Sequence, residues 1–203
     1  MPWKLAGLLY IAGALLAALA AQTLEVDAYC LVERVIDGDT IRCRVERILD
    51  PSLGVVEGET YSVRLADIDA PELRPSPEPG SREALGLLSS LVLGERVALD
   101  IDDLRVTDKY GRLVAIVIAY YNETHGVNAN RLLVSVGLAE TWEHENEWIL
   151  GETPLYIEWS ALNVGVEEAS YTKTISGASR PLLAVTPTLL ILLLFLVWRL
   201  RGR

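Results

Sequence analysis

Two charge-free runs, one near each end, constrain this chain more than anything between them. Residues 5–21 and 182–198 contain no Asp, Glu, Lys or Arg, and a surface helix of that length would need a polar face. Lys4, the apolar run and Ala18-Leu19-Ala20 supply the three parts of a secretory signal; an uncleaved signal anchor is the other reading of residues 1–21. Residues 182–198 as a helix would cover about 26 Å, close to the roughly 30 Å of a hydrocarbon core. Arg199, Arg201 and Arg203 follow this run, and with Lys4 they mark the cytoplasmic side by the positive-inside rule. The pattern predicts a signal segment (1–21), one domain (22–169), a short polar stalk (170–181), a transmembrane helix (182–198) and a basic tail (199–203). The domain is expected outside the cytoplasm of a cell membrane crossed once.

Charge then narrows the function of the middle. All 28 acidic residues lie between the two runs, against 14 of the 18 basic ones, so the domain is near −14 while the whole chain is −10. That excludes a basic protein that coats nucleic acid. Two cysteines exclude a disulfide-dense scaffold and a four-cysteine zinc site. Cys30 and Cys43 flank one hairpin. If its turn centres near Gly38, Cys30 faces about residue 46 and Cys43 about residue 33, an offset that disfavours a bridge unless a bulge intervenes.

Periodicity predicts five short strands. Residues 28–36 are β-rich, Ile41, Cys43 and Val45 alternate with polar residues, and Asp37-Gly38-Asp39 between them is a hairpin turn. Residues 61–65, 96–101 and 113–120 complete the set. Three helices are expected: one from Ser81 as N-cap to Gly94, one over residues 128–136 closed by Gly137, and one opening at Thr153-Pro154 and running towards Asn163. The predicted class is α+β, a five-stranded Greek-key barrel of the OB type with about three helices. Trp142, Trp148 and Trp159 are expected to pack under the last helix, and His125 and His144 to lie on the surface. Asn122-Glu123-Thr124 is a glycosylation sequon.

Three clusters carry chemistry: Asp37-Gly38-Asp39-Thr40, the run from Arg64 to Glu72, and Thr107-Asp108-Lys109-Tyr110-Gly111-Arg112. Two carboxylates brought together without His or Cys select a hard cation such as Ca2+. Arginines present planar forks that match phosphate oxygens, and a further carboxylate beside them can activate water. Charge neutralisation, phosphate positioning and a base are what phosphodiester hydrolysis requires.

In this order the clusters resemble the staphylococcal nuclease-like (thermonuclease) family, from about Val26 to Ala139 and more weakly to about Val166. Asn130-Arg131-Leu132-Leu133 and Gly137-Leu138-Ala139 add to the likeness. The resemblance implies a calcium-dependent nuclease on an OB-fold barrel that cuts DNA and RNA with little sequence preference and leaves 3′-phosphates. It implies that Asp39 and Asp69 bind Ca2+, that Ala70 offers its backbone carbonyl, and that Asp37 acts through water. Glu72 corresponds to the general base, and Arg64 and Arg112 to the arginines that bind phosphate and stabilise the pentacoordinate transition state. Lys109 and Tyr110 correspond to residues that touch the nucleotide.

The chain also departs from that pattern. The segment between Thr40 and Arg64 is longer, with an extra turn at Asp50-Pro51-Ser52-Leu53-Gly54. The loop after Glu72 is shorter and proline-rich. The family's downstream stacking tyrosines have no clear counterpart, and Val166 stands nearest to its closing Trp. The expected substrate is DNA or RNA, single strands favoured, and the expected state a monomer. A non-catalytic surface OB-fold module that binds protein or glycan is the rival reading, and the acidity speaks for it.

Overall fold

The computed structural model describes residues 24–142 and 145–162. The expected signal segment, stalk, transmembrane helix and tail, together with His144, lie outside the described residues. Among the described residues, no helix is long and apolar enough to cross a membrane.

Five strands close a barrel: β1 (Ala28–Val35), β2 (Thr40–Ile48), β3 (Thr60–Leu65), β5 (Arg96–Ile101) and β6 (Leu113–Tyr120). Their order is β1-β2-β3-β6-β5 and back to β1. The β3–β6 pairing is parallel and the rest are antiparallel. This is the predicted OB-like barrel. Alternating apolar residues fill it, with Tyr29, Ile41, Leu65, Leu99, Ile101 and Ile116 fully buried, and closure leaves few free strand edges. Four short strands were not foreseen: β4 (Ile68–Asp69) pairs with β8 (Glu140–Thr141), and β7 (His125–Asn128) pairs with β9 (Tyr156–Glu158).

Two α-helices are described, α1 (Ser81–Val92) and α2 (Ala129–Ser135). In α1 the residues Ser81, Ala84, Leu88 and Val92 are buried at helical spacing. Ser81 is its first residue and not its cap: Gly80 holds that place, and the Ser81 hydroxyl donates to the Glu78 carbonyl. Asn128 caps α2 by accepting from the Arg131 amide.

The third helix is not there. Residues 150–152 make a 3-10 turn and residues 156–158 a strand, with Ile157 buried between exposed Tyr156 and Glu158. The period is two, and β7 offers a free edge that rewards it. Trp159 then packs over Gly126, where a β-carbon would meet its ring at 2.8 Å, and its indole N–H donates to the Asn122 carbonyl. Trp148 and Trp159 are buried and Trp142 is half exposed, but the helix expected over them is not formed among the described residues.

Cys30 and Cys43 are bonded, with Cα atoms 5.7 Å apart. Register shifts between Tyr29 and Cys30 and between Val32 and Arg34 place Cys30 opposite Val45 and Cys43 opposite Val32. Without a bulge the two side chains would point to opposite faces. One extra residue reverses that parity and makes them diagonal neighbours on one buried face.

Candidate phosphodiesterase site

The barrel's register assembles the site. Thr40, first residue of β2, is paired with Arg64 on β3, and Arg64 is paired with Val114 on β6, two residues past Arg112. The ends of three strands therefore deliver the three clusters to one place. After β3 the chain reverses through Ala66-Asp67, with Asp67 at a φ of 58°, and so returns Asp69 to Arg64. Buried Asn130 on α2 holds this reversal by donating to the carbonyls of Ala66 and Ala115 and accepting from the Val117 amide.

Gly38 brings the hairpin turn against this segment. A β-carbon there would lie 2.6 Å from that of Ala70 and 2.7 Å from that of Ala84, so only glycine fits. Across this contact the Ala70 amide donates to Asp39 Oδ2 at 3.0 Å, and Asp39 is 5% exposed. Ala70 thus holds Asp39 through its N–H. Asp37 accepts from the Asp39 amide. Burial raises its pKa above the ordinary carboxylate range, partly offset by hydrogen bonding to Thr40 and by the charges of Arg64 and Arg112.

Arg64 lies between the two proposed metal ligands. One terminal nitrogen pairs with Asp39, and the other donates to Asp69 Oδ1 at 3.0 Å and to the Ile68 carbonyl at 2.9 Å. Burial lowers its pKa, while the hydrogen bond to Asp69 works the other way. Arg112 is clamped by Asp108, with Nε and Nη2 both 2.7 Å from Oδ2. Burial opposes the Asp108 charge, but hydrogen bonds from Arg112 and from the Tyr110 amide outweigh it and hold its pKa low. Thr40 joins the halves: its hydroxyl donates to Asp39 Oδ1 at 2.9 Å and accepts from Arg112 Nη1 at 3.3 Å. The chain Arg64–Asp39–Thr40–Arg112 is continuous.

Sequence reasoning assigned no role to Thr40 or Asp108, although both stand inside the quoted clusters. An Asp four residues before an Arg at a tight turn was the available signal for Asp108. Tyr110 is 71% exposed; the Lys109 ammonium lies 4.9 Å from its ring centre and the Arg112 guanidinium 5.4 Å. Glu72 makes no direct contact with Arg64 or Arg112. It is exposed, its carboxylate makes no hydrogen bond or ion pair with the described residues, and with Asp37 it lines an adjoining cavity of about 270 Å³.

The donors fit a hard cation. Asp39 and Asp69 are oxygen ligands already drawn to one positive group. Among the described residues, no set of three or more His, Cys, Asp or Glu side chains encloses a metal. An ion here would have an incomplete protein shell, leaving positions for water and a phosphate oxygen.

Residues 62–158 match the family model for staphylococcal nuclease homologues. That span includes the Arg64 and Arg112 clusters but begins after Asp37–Thr40, which the fold adds to them. The chain is 32% identical over 117 residues to the micrococcal nuclease of Shigella flexneri, covering 56% of this chain and 58% of that protein. It is 31% identical over 129 residues to the endonuclease YhcR of Bacillus subtilis, covering 58% of this chain and 9% of that one. The match to protein ParB of Escherichia coli is 37% over 86 residues, 42% of this chain and 39% of that one. In each case the chain spans less than two thirds of the relative. By these likenesses and by its barrel, the chain is similar to the staphylococcal nuclease-like family.

Proposed function

We propose that this protein hydrolyses phosphodiester bonds of DNA or RNA outside the cytoplasm, anchored by residues 182–198. The observation that carries the reading is the continuous contact of Arg64, Asp39, Thr40 and Arg112, with Asp69 on the same guanidinium. A general binding module has no use for two arginines set against a carboxylate pair. The Cys30–Cys43 bond supports an oxidising compartment.

Asp39 and Asp69, with the Ala70 carbonyl and Asp37 through water, would hold Ca2+, which would supply neutralisation of phosphate charge. Arg64 and Arg112 bind the non-bridging oxygens and favour the pentacoordinate transition state, where their forks meet more charge than in the ground state. The Thr40 contact to Arg112, the longest in this network at 3.3 Å, is the donor most readily given to phosphate. Glu72 takes a proton from the attacking water. The hydroxide adds to phosphorus and the P–O5′ bond breaks; the leaving 5′-oxygen takes a proton from water and Glu72 returns its own to solvent, giving a 3′-phosphate and a free 5′-hydroxyl. Lys109 and Tyr110 receive the neighbouring nucleotide.

The test is cleavage of single-stranded DNA by the purified full-length chain in calcium, in magnesium and in chelator. Calcium-dependent cleavage lowered about 10²-fold or more by Glu72→Gln is expected, the scale of a lost general base. Equal activity in that variant removes the base. The rival binding module is favoured by one observation: Arg64 and Arg112 are both already paired with acids. It gains if a folded, calcium-binding protein cuts nothing.

A further inference from the structure

Of the cavity beside the site, the hydrolytic reading uses only Asp37 and Glu72. The cavity is lined by Arg34, Ile36, Asp37, Glu72, Leu73 and Arg74. Asp37 is the shared wall, since it lines the cavity and its carboxylate also accepts from the Asp39 amide at 3.2 Å. Arg34 lies on the part of β1 beyond Leu31, where the pairing with β5 has ended, and Arg74 lies on the loop after Glu72. Both are exposed, and neither makes an ion pair or hydrogen bond with the described residues. Arg44, Arg64, Arg96 and Arg112, by contrast, all have carboxylate partners.

Arg34 also stands directly opposite Arg42 across the β1–β2 ladder, and Arg42 is exposed and likewise without a partner among the described residues. Like charges placed directly opposite destabilise a sheet. Asp37 and Glu72 share the cavity, yet neither forms an ion pair with Arg34 or Arg74. Ile36, 38% exposed, and Leu73 give the same cavity an apolar wall suited to a sugar or base.

We propose that this cavity is a second phosphate subsite, in which Arg34 and Arg74, backed by Arg42, hold a phosphate of the same strand next to the one bound by Arg64 and Arg112. The substrate is then an extended polynucleotide and not a mononucleotide ester. This rests on the phosphodiesterase reading. The presence of Asp37 and Glu72 in the cavity makes the arginines necessary, because without them a second phosphate would meet only carboxylates.

The test separates the two readings. Binding of a fluorescent ten-nucleotide oligothymidylate to the full-length protein is followed by anisotropy in chelator across a salt series. Cleavage of that oligomer and of a thymidine dinucleotide is measured in calcium. For Arg34→Ala/Arg74→Ala, affinity for the oligomer should fall about tenfold at low salt, and the slope of log affinity against log salt should drop by about 0.7, one phosphate contact on a single strand. The preference for oligomer over dinucleotide should fall by a similar factor. Arg34→Lys/Arg74→Lys should keep most of the slope, since charge is retained. Unchanged affinity and slope in the alanine variant, with cleavage intact, overturns the subsite and leaves the hydrolase. A wild type that binds the oligomer and loses it in the alanine variant, but cuts nothing, keeps the subsite and removes the hydrolase. A wild type that neither binds nor cuts removes both.

Discussion

Gly38→Ala is a sharp test of how the two acidic clusters are held together. Two effects of opposite sign compete. Gly38 does not have a left-handed φ, so alanine is permitted by the backbone and would stabilise by about 0.4–1 kcal/mol through the unfolded chain. Against this, its β-carbon would stand 2.6 Å and 2.7 Å from those of Ala70 and Ala84. Neither neighbour can rotate away, because a β-carbon has no freedom apart from its backbone. The turn must therefore move by about 1 Å from both the Ala70 segment and α1, and overpacking of this kind costs roughly 1–3 kcal/mol. The steric term wins, with a net loss of about 1–2 kcal/mol. Chemical denaturation of the oxidised protein measures it. The shift also strains the Ala70 amide bond to Asp39, so calcium affinity should fall alongside. Ala70→Gly relieves one of the two contacts, and the double variant should recover part of the loss beyond additivity. A stabilised Gly38→Ala, or a double variant additive within about 0.5 kcal/mol, would refute the reasoning.

Thr40→Val keeps shape but removes the hydroxyl between Asp39 and Arg112; stability should drop by about 1–2 kcal/mol and kcat by tenfold or more, read from denaturation and single-stranded DNA cleavage. Burial, with added repulsion among neighbouring acids, raises Asp27 to about 6 and Asp100 to about 8, and burial raises Glu147 to about 7. The unfolded chain releases these protons near pH 4 while the folded chain keeps them, so this cluster's contribution is full at low pH and lost as pH rises towards 8. Asp100→Asn should flatten that fall, by on the order of 2 kcal/mol between pH 5 and 8 in thermal melts. Reduction of Cys30–Cys43 frees a loop with a sequence separation of 13 and should cost about 2–3 kcal/mol, measured by denaturation with and without reductant.

What the sequence made legible follows from what periodicity and local turns encode. Residues 96–101 and 113–120 are strands with the expected bounds; the second is a continuous apolar run, and the first is β-prone around Val97, Ala98, Leu99 and Ile101. The hairpin at Asp37–Asp39 is a local device, readable from neighbours alone. The bridge between Cys30 and Cys43 was not, because it depends on a bulge that no pattern of residues announces and that reverses which face each side chain takes. Residues 156–158 read as the start of a helix after Thr153-Pro154, yet the free edge of β7 decides them, a tertiary choice over a local one. The candidate site divides in the same way. Its charged members were legible by type, while Thr40 acquires its part only from the β2–β3 register, and Glu72 stands in a neighbouring cavity for reasons that lie in the path of the loop.

The net charge of −10 counts every carboxylate as ionised and every charge as equally placed, and neither holds. Asp100, raised to about 8, keeps its proton at neutral pH and Glu147, raised to about 7, keeps it in part, so these groups carry less negative charge than the composition states. At the site, Asp39 and Asp69 share Arg64, and Asp108 is taken by Arg112. The cations left without partners beside it include Arg34 and Arg74. A strand approaching this side meets a field set by those groups within roughly a Debye length, about 8 Å at physiological salt, and not by the whole-molecule sum. The two pictures predict opposite signs. If local cations govern the encounter, kcat/KM on oligonucleotides falls as salt rises at constant calcium, because screening removes an attraction. If the bulk charge governs it, screening removes a repulsion and kcat/KM rises. A positive slope over the range from 20 to 200 mM salt would mean that the acidic surface, and not the arginines at the site, decides how substrate arrives.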